Sequence, residues 1–346
     1  MTMKELLKEL CSANGVSGDE NDVRELIIDR IKDVCDEYRT DALGSLICFK
    51  KGRKHPQKTL MVCAHMDEVG LIVTYIRPDG TLSFNEVGGV DPAVVIGRQV
   101  IVKNHYTGHL YRGVIGSKAV HNLSKDEREK APEYKGLYID IGAEDREDAM
   151  KHISLGDTVY FDSEFTELGK SRIRSKAIDD RAGCAMMIEL MHSELEYDTY
   201  FVFNVQEEVG LRGSRCSAFS LMPDFAIVLE STTAADIEGS AGDNRVCELG
   251  KGPVVSFMDR TTLYDRELYR LAFDTAKDIG IPCQTKTRVA GGNDAGAIHI
   301  TGEGIRTLAV SVPCRYLHSP SSVADLTDIE NTYRLVEKLC ERVLEL

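Results

Sequence analysis

Histidine and acidic side chains follow several apolar runs of this sequence, at the points where the runs end. His65 ends the run TLMVCAH, and Asp67 follows two residues later. Glu207 and Glu208 come shortly after TYFVFNV, and Glu230 ends FAIVLE. Ligands of open α/β sheets bind beyond the carboxyl ends of the strands, so these side chains stand where chemistry is usually placed.

Two further segments, AIDDRAG and YLHSP, supply Asp179, Asp180 and His318. Each of these residues also has a purely structural interpretation. An aspartate before a helix can cap it, a lone histidine is more often structural, and the paired glutamates could be a solvated charge pair. His65 alone could equally be a surface-loop histidine beside a capping Asp67. The functional interpretation depends on all of these residues occurring together.

Taken together, two histidines and three carboxylates suit two zinc ions that share one carboxylate and keep open positions. The candidate ligands are His65, one of the adjacent acids Asp179 and Asp180, one of the two adjacent glutamates, Glu230 and His318. A closed structural site would use mostly cysteine, and an all-oxygen set would favour magnesium or calcium. Two such ions would activate a water, and the remaining glutamate could carry its proton to a leaving amine. The residues therefore predict metal-assisted hydrolysis of an amide.

The elements that must position these residues alternate between helix and strand at both ends of the chain. Leu6, Leu7 and Leu10 share one side of a predicted first helix that ends near residues 14–15. The segment 181–195 predicts a strong helix. The last segment, 326–346, predicts an amphipathic helix with Thr327 as N-cap and Glu330 as its capping-box partner.

The middle of the chain has a different pattern. Between about residues 71 and 165, short strands alternate with Gly, Asn and Asp turns, which predicts a mostly β insertion. We therefore expect an α/β catalytic domain formed by residues 1–70 and 166–346, interrupted by a β domain of residues 71–165.

Composition narrows the class of protein further. The 346 residues are 42% hydrophobic and 28% charged, with a net charge of −14. That charge would repel nucleic acid and anionic membrane, so neither is an expected partner. The ten cysteines include no C-x-x-C pair and suit a reducing cytoplasm. The sequence contains no apolar run of about 18 residues, so we expect no membrane-spanning helix. The first residues lack the apolar core of a signal peptide.

Motifs along nearly the whole chain resemble the tetrahedral-aminopeptidase and glutamyl-aminopeptidase family of di-zinc metallopeptidases. Some members of that family have been labelled cellulases or endoglucanases. The matching motifs are GVSGDE at 15–20, DALGSLI at 41–47, AHMDEVG at 64–70, VGGVDP at 87–92, GVIGSKAVH at 113–121, KAIDDRAG at 176–183, QEEVGLRGS at 206–214, GGNDAGAI at 291–298 and RYLHSP at 315–320. So many motifs in the same order make coincidence improbable.

The resemblance implies a role for each matched position. His65, Asp179 and Glu230 would bind one zinc, and Asp179, Glu208 and His318 the other. Glu207 would be the general acid/base and Asp67 would orient His65, while a cis peptide would follow Asp179. The cofactors would be two divalent ions per subunit, zinc being expected and cobalt an alternative.

The resemblance also implies the architecture and the partners. The fold would be α/β, with a mixed-sheet exopeptidase domain between helices and an inserted, barrel-like dimerisation domain. The partners would be short peptides and further copies of the chain, up to a tetrahedral dodecamer. His121, Asn293 and Asp294 are the candidate substrate-binding residues, and Lys286, Arg288 and Arg315 are further candidates for the pocket.

Two positions depart from the family pattern. Position 230 is Glu where the family usually has Asp, and position 293 is Asn where Thr is usual. A longer carboxylate at 230 can still bind a cation, with a changed geometry or metal preference.

The leading hypothesis is a metal-dependent aminopeptidase that releases the N-terminal residue of short peptides. A related di-zinc deacylase or carboxypeptidase is an alternative, as is a non-catalytic metal-binding shell. A glycosidase would need two carboxylates flanking a sugar and no metal, so the sequence disfavours it. Acidic, basic and neutral N-terminal residues all stay open as the preferred substrate.

Overall fold

The computed structural model describes the backbone of residues 1–346 and the side chains of all of them except Val120, Glu127 and Asp243. The helices are α1 (Met3–Ser12), α2 (Asn21–Ile31), α3 (Pro92–Val95), α4 (Lys125–Glu129), α5 (Arg146–Met150), α6 (Ile178–His192), α7 (Arg212–Leu221), α8 (Arg266–Asp278), α9 (Ala295–Ile298) and α10 (Leu326–Arg342). Short 3₁₀ turns lie at Val120–Asn122, Tyr134–Gly136, Gly242–Arg245 and Val343–Glu345.

The strands belong to one large sheet and one barrel. They are β1 (Glu37–Thr40), β2 (Leu46–Lys50), β3 (Leu60–His65), β4 (Gly70–Ile76), β5 (Leu82–Val87), β6 (Gln99–Lys103), β7 (Leu110–Ser117), β8 (Leu137–Asp140), β9 (Thr158–Phe161), β10 (Thr166–Leu168), β11 (Arg172–Ser175), β12 (Thr199–Asn204), β13 (Phe225–Thr233), β14 (Val254–Val255), β15 (Gln284–Thr285), β16 (Arg306–Arg315) and β17 (Ser322–Asp325).

The large sheet is mixed, with parallel strands at its centre. Its order is β1-β2-β12-β3-β13-β16-β17-β11-β10, and β14 and β15 pair beside β16. Strands β12, β3, β13 and β16 run parallel to their neighbours within this group, whereas the outer pairs are antiparallel. The carboxyl ends of these four strands therefore meet at one edge of the sheet.

Helices cover both faces of this sheet because side chains of a strand alternate between its faces. Leu60, Val62 and Ala64 of β3 pack into a core that includes residues of α1, α2, α6, α8 and α10. Met61 and Cys63 of the same strand face the opposite way, into a smaller core with residues of α7 and α9. The predicted α/β fold with a mixed sheet between helices is confirmed.

The segment between Gly70 and Phe161 forms the barrel, whose strands close in the order β4-β5-β8-β7-β6-β9. Closure comes from β9, which pairs antiparallel with both β4 and β6. Leu71, Val100 and Ile139 lie in its apolar interior. The predicted β-barrel insertion is thus confirmed, while the domain limits at 71 and 165 and the dimerisation role stay predictions.

The predicted start of the last helix is wrong by two residues. Asp325, not Thr327, is the N-cap of α10, and its Oδ1 accepts a hydrogen bond from the Thr327 backbone N–H at 2.9 Å. Both residue types favour the N-cap position. Asp325 takes it because β17 runs directly into the helix and leaves Thr327 inside the first turn.

Across the described residues, none of the helices is both long enough and apolar enough to cross a bilayer.

Candidate metal centre

Four parallel strands and one helix start deliver the candidate ligands to one place. His65 is the last residue of β3, Glu230 lies in β13, Glu208 follows β12 and His318 follows β16. Asp179 comes from the start of α6, where the backbone of Asp179 and Asp180 is not helical. The peptide bond between these two aspartates is cis, as the family resemblance implied.

The carboxylate of Asp179 stands between the two histidines. Its Oδ1 lies 3.5 Å from Nε2 of His65, and its Oδ2 lies 3.6 Å from Nε2 of His318. Glu230 Oε2 is 3.8 Å from Nε2 of His65, and Glu208 Oε2 is 3.5 Å from Nε2 of His318. The cluster therefore divides into two halves that share Asp179.

The spacing and chemistry of these atoms fit two divalent cations. The sets His65/Asp179/Glu230 and Asp179/Glu208/His318 each bring their donor atoms within 4.8 Å of one another. The 3.5–3.8 Å separations are longer than ordinary hydrogen bonds. They resemble the roughly 3.3–3.4 Å between two ligands that each lie about 2.0–2.1 Å from one tetrahedral zinc. Asp179 Oδ1 and Glu230 Oε1 are also buried without a hydrogen-bond partner, and a bound cation would compensate for this by coordinating them.

The far nitrogen of each histidine is fixed by a backbone carbonyl. Nδ1 of His65 lies 3.0 Å from the carbonyl oxygen of Asp67, and Nδ1 of His318 lies 3.1 Å from that of Gly89. Such contacts hold the ring and direct Nε2 to the ligand position. In both histidines, Nε2 is the nitrogen that faces the shared carboxylate.

Charge pairing within the cluster shifts the pKa of its members. The Asp179 carboxylate raises the pKa of His318 to about 9. Burial lowers the pKa of His65, but its contacts with Asp179 and Asp67 outweigh this and raise it well above the usual range. Burial also raises the pKa of Glu208 to about 7 and that of Glu230 well above its usual range. The raised pKa values of the glutamates indicate that their carboxylates need additional positive charge nearby before all of them ionise.

Glu207 lies beside the cluster and lines the cavity in front of it. Burial, reinforced by the charge of Glu208, raises its pKa well above the usual range. Gln206, just before it, has a left-handed backbone with φ of 55°, an uncommon conformation for a residue other than glycine. The chain turns there, and the two adjacent glutamates take different positions.

Asp67 holds the backbone of both glutamates. Its Oδ1 accepts from the Glu207 N–H at 3.0 Å and its Oδ2 from the Glu208 N–H at 3.1 Å. The Ser17 hydroxyl also donates to Oδ2 at 2.6 Å. The Asp67 carboxylate lies farther from His65, at 3.5 Å from Nδ1. The sequence predicted only that Asp67 orients His65, and it missed this larger role.

The GVSGDE segment supports the same loop, which the sequence did not indicate. Glu20 Oε1 accepts from the backbone N–H of Gln206 at 3.1 Å and from that of Gly18 at 2.8 Å. Together with Ser17, Glu20 connects the chain between α1 and α2 to residues 206–208, which we call the glutamate loop. Only the presence of acids within a matched motif could have pointed to these residues.

A cavity of about 330 Å³ opens in front of the cluster. It is lined by His65, Asp179, Glu207, Glu230 and His318 and, among others, by Thr232, Thr233, Lys286, Arg288 and Asn293. Its size lies within the range of small-ligand pockets. Acidic residues of the cluster and two basic residues, Lys286 and Arg288, therefore line the same cavity.

The candidate substrate residues are placed unevenly. Asn293 lines the cavity, and its Oδ1 accepts from the Ala295 N–H at 3.0 Å. Asp294 is fully buried and accepts from the Asn204 amide at 2.8 Å. His121 is exposed in the 3₁₀ turn after β7 and is not among the described residues that line the cavity. Arg315 is occupied by a two-pronged ion pair with Asp236, whereas Lys286 faces the cavity.

The two adjacent aspartates of AIDDRAG take different positions in the structure. Asp180 Oδ1 accepts from the Gly183 N–H at 2.9 Å, which caps the regular part of α6. Asp179 faces the cluster. A Cβ at Gly183 would come within 2.2 Å of Asp180 Oδ2 and 2.8 Å of Ala64, so glycine allows both the cap and the close packing of α6 on β3.

Fold and site together define an α/β protein with a candidate two-cation centre at the carboxyl edge of its central sheet. The family model for M42 glutamyl aminopeptidases matches residues 44–335. A putative aminopeptidase of Acetivibrio thermocellus is 42% identical, with 98% of each chain covered.

Solved structures of similar proteins match nearly the whole chain as well. Pyrococcus horikoshii TET1 peptidase, which can assemble into a tetrahedron or a large octahedral shell, is 36% identical with a TM-score of 0.87 and covers 98% of this chain and 99% of its own. A structure named as an endoglucanase from Thermotoga maritima is 40% identical with a TM-score of 0.79, covering 97% and 99%. The chain belongs to the M42 glutamyl aminopeptidase family.

Proposed function

We propose that this protein is a metal-dependent aminopeptidase that uses two divalent cations, with zinc expected and cobalt an alternative. The observation that carries the proposal is Asp179, whose two carboxylate oxygens each face Nε2 of a different histidine. A carboxylate has two oxygens, so Asp179 could contribute a ligand atom to each half of the cluster. When bound, two such cations lower the pKa of a water and polarise a peptide carbonyl.

The residues of the chain supply the rest of the reaction. Glu207 is proposed as the general acid/base that takes a proton from the attacking water and returns it to the leaving amine. Its position on the cavity wall supports this role, as does the support that Asp67 gives to its backbone. His65, Glu208, Glu230 and His318 complete the proposed ligand set around Asp179.

We also propose that the preferred N-terminal residue is acidic. Lys286 and Arg288 line the same cavity as Glu207 and the cluster. Neither makes an ion pair within 4.0 Å among the side chains that the structure describes. Lys286 Nζ instead donates to the carbonyl oxygen of Ala290 at 3.0 Å. The positively charged side chains of Lys286 and Arg288 have no acidic partners among the described residues, so they favour an anionic group on the bound ligand.

Assembly and compartment are proposed from the comparisons and the cysteines. The TET1 peptidase forms closed shells, and we propose that this chain also forms a homo-oligomer, the tetrahedral dodecamer being one form. The structure describes all ten cysteines, and each of them is a free thiol. That state suits a reducing cytoplasm.

Activity of the purified protein tests the proposal. Loaded with zinc or cobalt, it should cleave aminoacyl p-nitroanilides and release the first residue of an unlabelled peptide, and a chelator should abolish both. Glu207→Gln should lower kcat by about 10²–10⁴-fold while elemental analysis still finds two metal ions per chain. Glu303→Gln, at an exposed glutamate outside the site, is the control.

Three outcomes would contradict the proposal. Release from the carboxyl end would favour the carboxypeptidase alternative, and cleavage of acylated amino acids alone would favour a deacylase. Metal binding without any turnover would favour the non-catalytic shell.

A further inference from the structure

A second cavity adjoins the first at His318. It has a volume of about 670 Å³ and shares His318 and Leu317 with the cavity in front of the cluster. Both volumes lie in the range of ligand-binding pockets. The second cavity therefore lies next to the one in front of the cluster, where the remainder of a ligand held at the cluster could be placed.

The barrel and the large sheet each provide one wall of the second cavity. Gly89, Val94 and Arg98 come from the segment between β5 and β6 of the barrel. Arg174 of β11 and Val323 of β17 come from the sheet. The insertion thus forms a groove that the sheet alone would lack.

Two arginines mark the end of this cavity that lies away from the cluster. Arg98, Arg174 and Ser321 also line a third cavity, of about 400 Å³, whereas His318 does not. The order along the surface is therefore first cavity, His318, second cavity, the two arginines, third cavity. A chain running outward from the cluster meets the arginines after it has passed His318.

The hydrogen bonds of the two arginines go to neutral oxygens. Arg174 donates to two neutral oxygens, the Thr166 hydroxyl and the Glu164 carbonyl, each at 3.0 Å. Arg98 donates through Nε to the Val94 carbonyl at 3.1 Å. Neither forms an ion pair within 4.0 Å with any acid whose side chain is described.

One acid, Asp91, also lines the second cavity and makes a local cap. Asp91 is the N-cap of α3 and accepts from the Ala93 N–H at 2.8 Å. Between the arginines and His318 the wall is largely apolar, with Val94, Leu317 and Val323. The cavity therefore offers an apolar floor with two available guanidinium groups at its outer end.

We propose that the second cavity binds the part of a peptide that follows the scissile bond, and that Arg98 and Arg174 pair with the free C-terminal carboxylate of a short peptide. Arginine recognises carboxylates by charge-assisted, two-pronged hydrogen bonds. The proposal rests on the proposed aminopeptidase function, since it requires the cut to occur at the cluster. It makes the enzyme selective for short peptides with an unmodified C-terminus.

Matched peptides that differ only at the C-terminus provide the test. The N-terminal residue is the one whose p-nitroanilide is cleaved best, and tripeptides and tetrapeptides are made as free acid and as amide. For the better-fitting length, kcat/KM should be about tenfold or more higher for the acid than for the amide. The double variant R98Q/R174Q should reduce this ratio to near 1.

The ratio of acid to amide is taken within one variant, so loss of active protein does not affect it. Arg270→Gln, which neutralises an exposed arginine of α8 outside the three cavities, should keep the wild-type ratio. R98K/R174K should restore part of it, because lysine keeps the charge and loses the two-pronged geometry.

Failure of this inference can be told from failure of the proposed function. If the p-nitroanilide is cleaved but the wild-type protein treats acid and amide alike, the inference is wrong and the aminopeptidase function stands. If R98Q/R174Q keeps the ratio and instead changes the assembled size on a sizing column, the arginines serve a subunit contact and the inference is again wrong. If neither p-nitroanilide nor peptide is cleaved, the proposed function itself fails.

Discussion

Neighbouring acids in this protein have different tasks because the local backbone turns them apart. Asp179 faces the two histidines while Asp180 caps α6. Glu208 faces His318 while Glu207 lines the cavity. A sequence shows two adjacent acids in each case and does not show which one faces the cluster. At the glutamates the left-handed backbone of Gln206 turns the chain, and no local sequence pattern predicts that conformation.

Substitution of Lys286 should weaken the preference for an acidic N-terminal residue. The ratio of kcat/KM for glutamyl over leucyl p-nitroanilide should fall about tenfold in Lys286→Gln, since a charge-assisted hydrogen bond is lost. Arg288→Gln should have a smaller effect because Arg288 is exposed, where water screens its charge. Steady-state kinetics with both substrates measures the change.

Lys251→Gln is the matched control, since Lys251 is exposed and does not line the cavity. If Lys286→Gln left the glutamyl-to-leucyl ratio unaltered, or if the wild-type enzyme preferred leucine, Lys286 would not determine the specificity.

The elements of the large sheet were the most predictable part of the structure. Long apolar runs became β3, β12, β13 and β16, and their parallel order brought the strand ends together as expected. Contacts between distant segments were not predictable. The hydrogen bond that the Gln206 N–H donates to the Glu20 carboxylate joins residues 186 positions apart, and no periodicity in either segment predicts it.

Asp19 connects the chain between α1 and α2 to the barrel. Its Oδ1 pairs with Lys103 Nζ at 2.9 Å, and its Oδ2 accepts from Thr158 at 2.8 Å and from the Tyr160 hydroxyl. Asp19 is 4% exposed. Because Glu20, the next residue, supports the loop of Glu207, Asp19 links the barrel to the glutamate loop.

Asp19→Asn should therefore destabilise the protein by about 3 kcal/mol, because it removes the buried partner of Lys103 and leaves only the exposed Asp22 near its ammonium group. It should also lower kcat, because the adjacent Glu20 is displaced from the glutamate loop. Chemical denaturation and steady-state kinetics measure the two effects.

Asp22→Asn offers a matched comparison within the same ion-pair network. Asp22 lies 3.7 Å from Lys103 but its side chain is 58% exposed, so the change should cost less than about 1 kcal/mol. Equal losses of stability in the two variants would show that the link through Asp19 is not important.

At the scale of the whole molecule, the candidate centre joins segments from both ends of the chain. His65 and His318 are 253 positions apart in the sequence and share Asp179 in the structure. The barrel adds a carbonyl, from Gly89, that holds His318. Binding of cations should therefore stabilise the entire fold and not one segment.

The charges of the cluster determine how stability depends on pH when metal is removed. The pKa values of Glu207 and Glu230 are raised well above the usual range, and that of Glu208 to about 7. The pKa of His65 is also raised well above its usual range, and that of His318 to about 9. In every case the folded protein binds protons more tightly than the unfolded chain. Stability of the metal-free protein should therefore fall as pH rises from about 6 to 9.

Asp67 and Asp179 have the opposite sign, but in another pH range. Burial raises the pKa of each, and their histidine contacts outweigh this and lower it below the usual value. The stability that they contribute is lost only as pH falls below about 4, so it does not change the trend at neutral and alkaline pH.

Added metal should reverse this dependence on pH. Zinc binds deprotonated ligands, so its affinity for the cluster rises with pH. At a thousandfold excess over Kd, binding adds about 4 kcal/mol to the free energy of unfolding. The rise in Tm on adding zinc to chelator-treated protein should therefore be larger at about pH 9 than at about pH 6, and scanning calorimetry measures it.

His318→Ala should lose most of this rise, whereas Glu207→Gln should retain it because Glu207 is not in the proposed ligand set. A rise in Tm that is the same at both pH values would show that the clustered acids and histidines are not the groups that bind the metal.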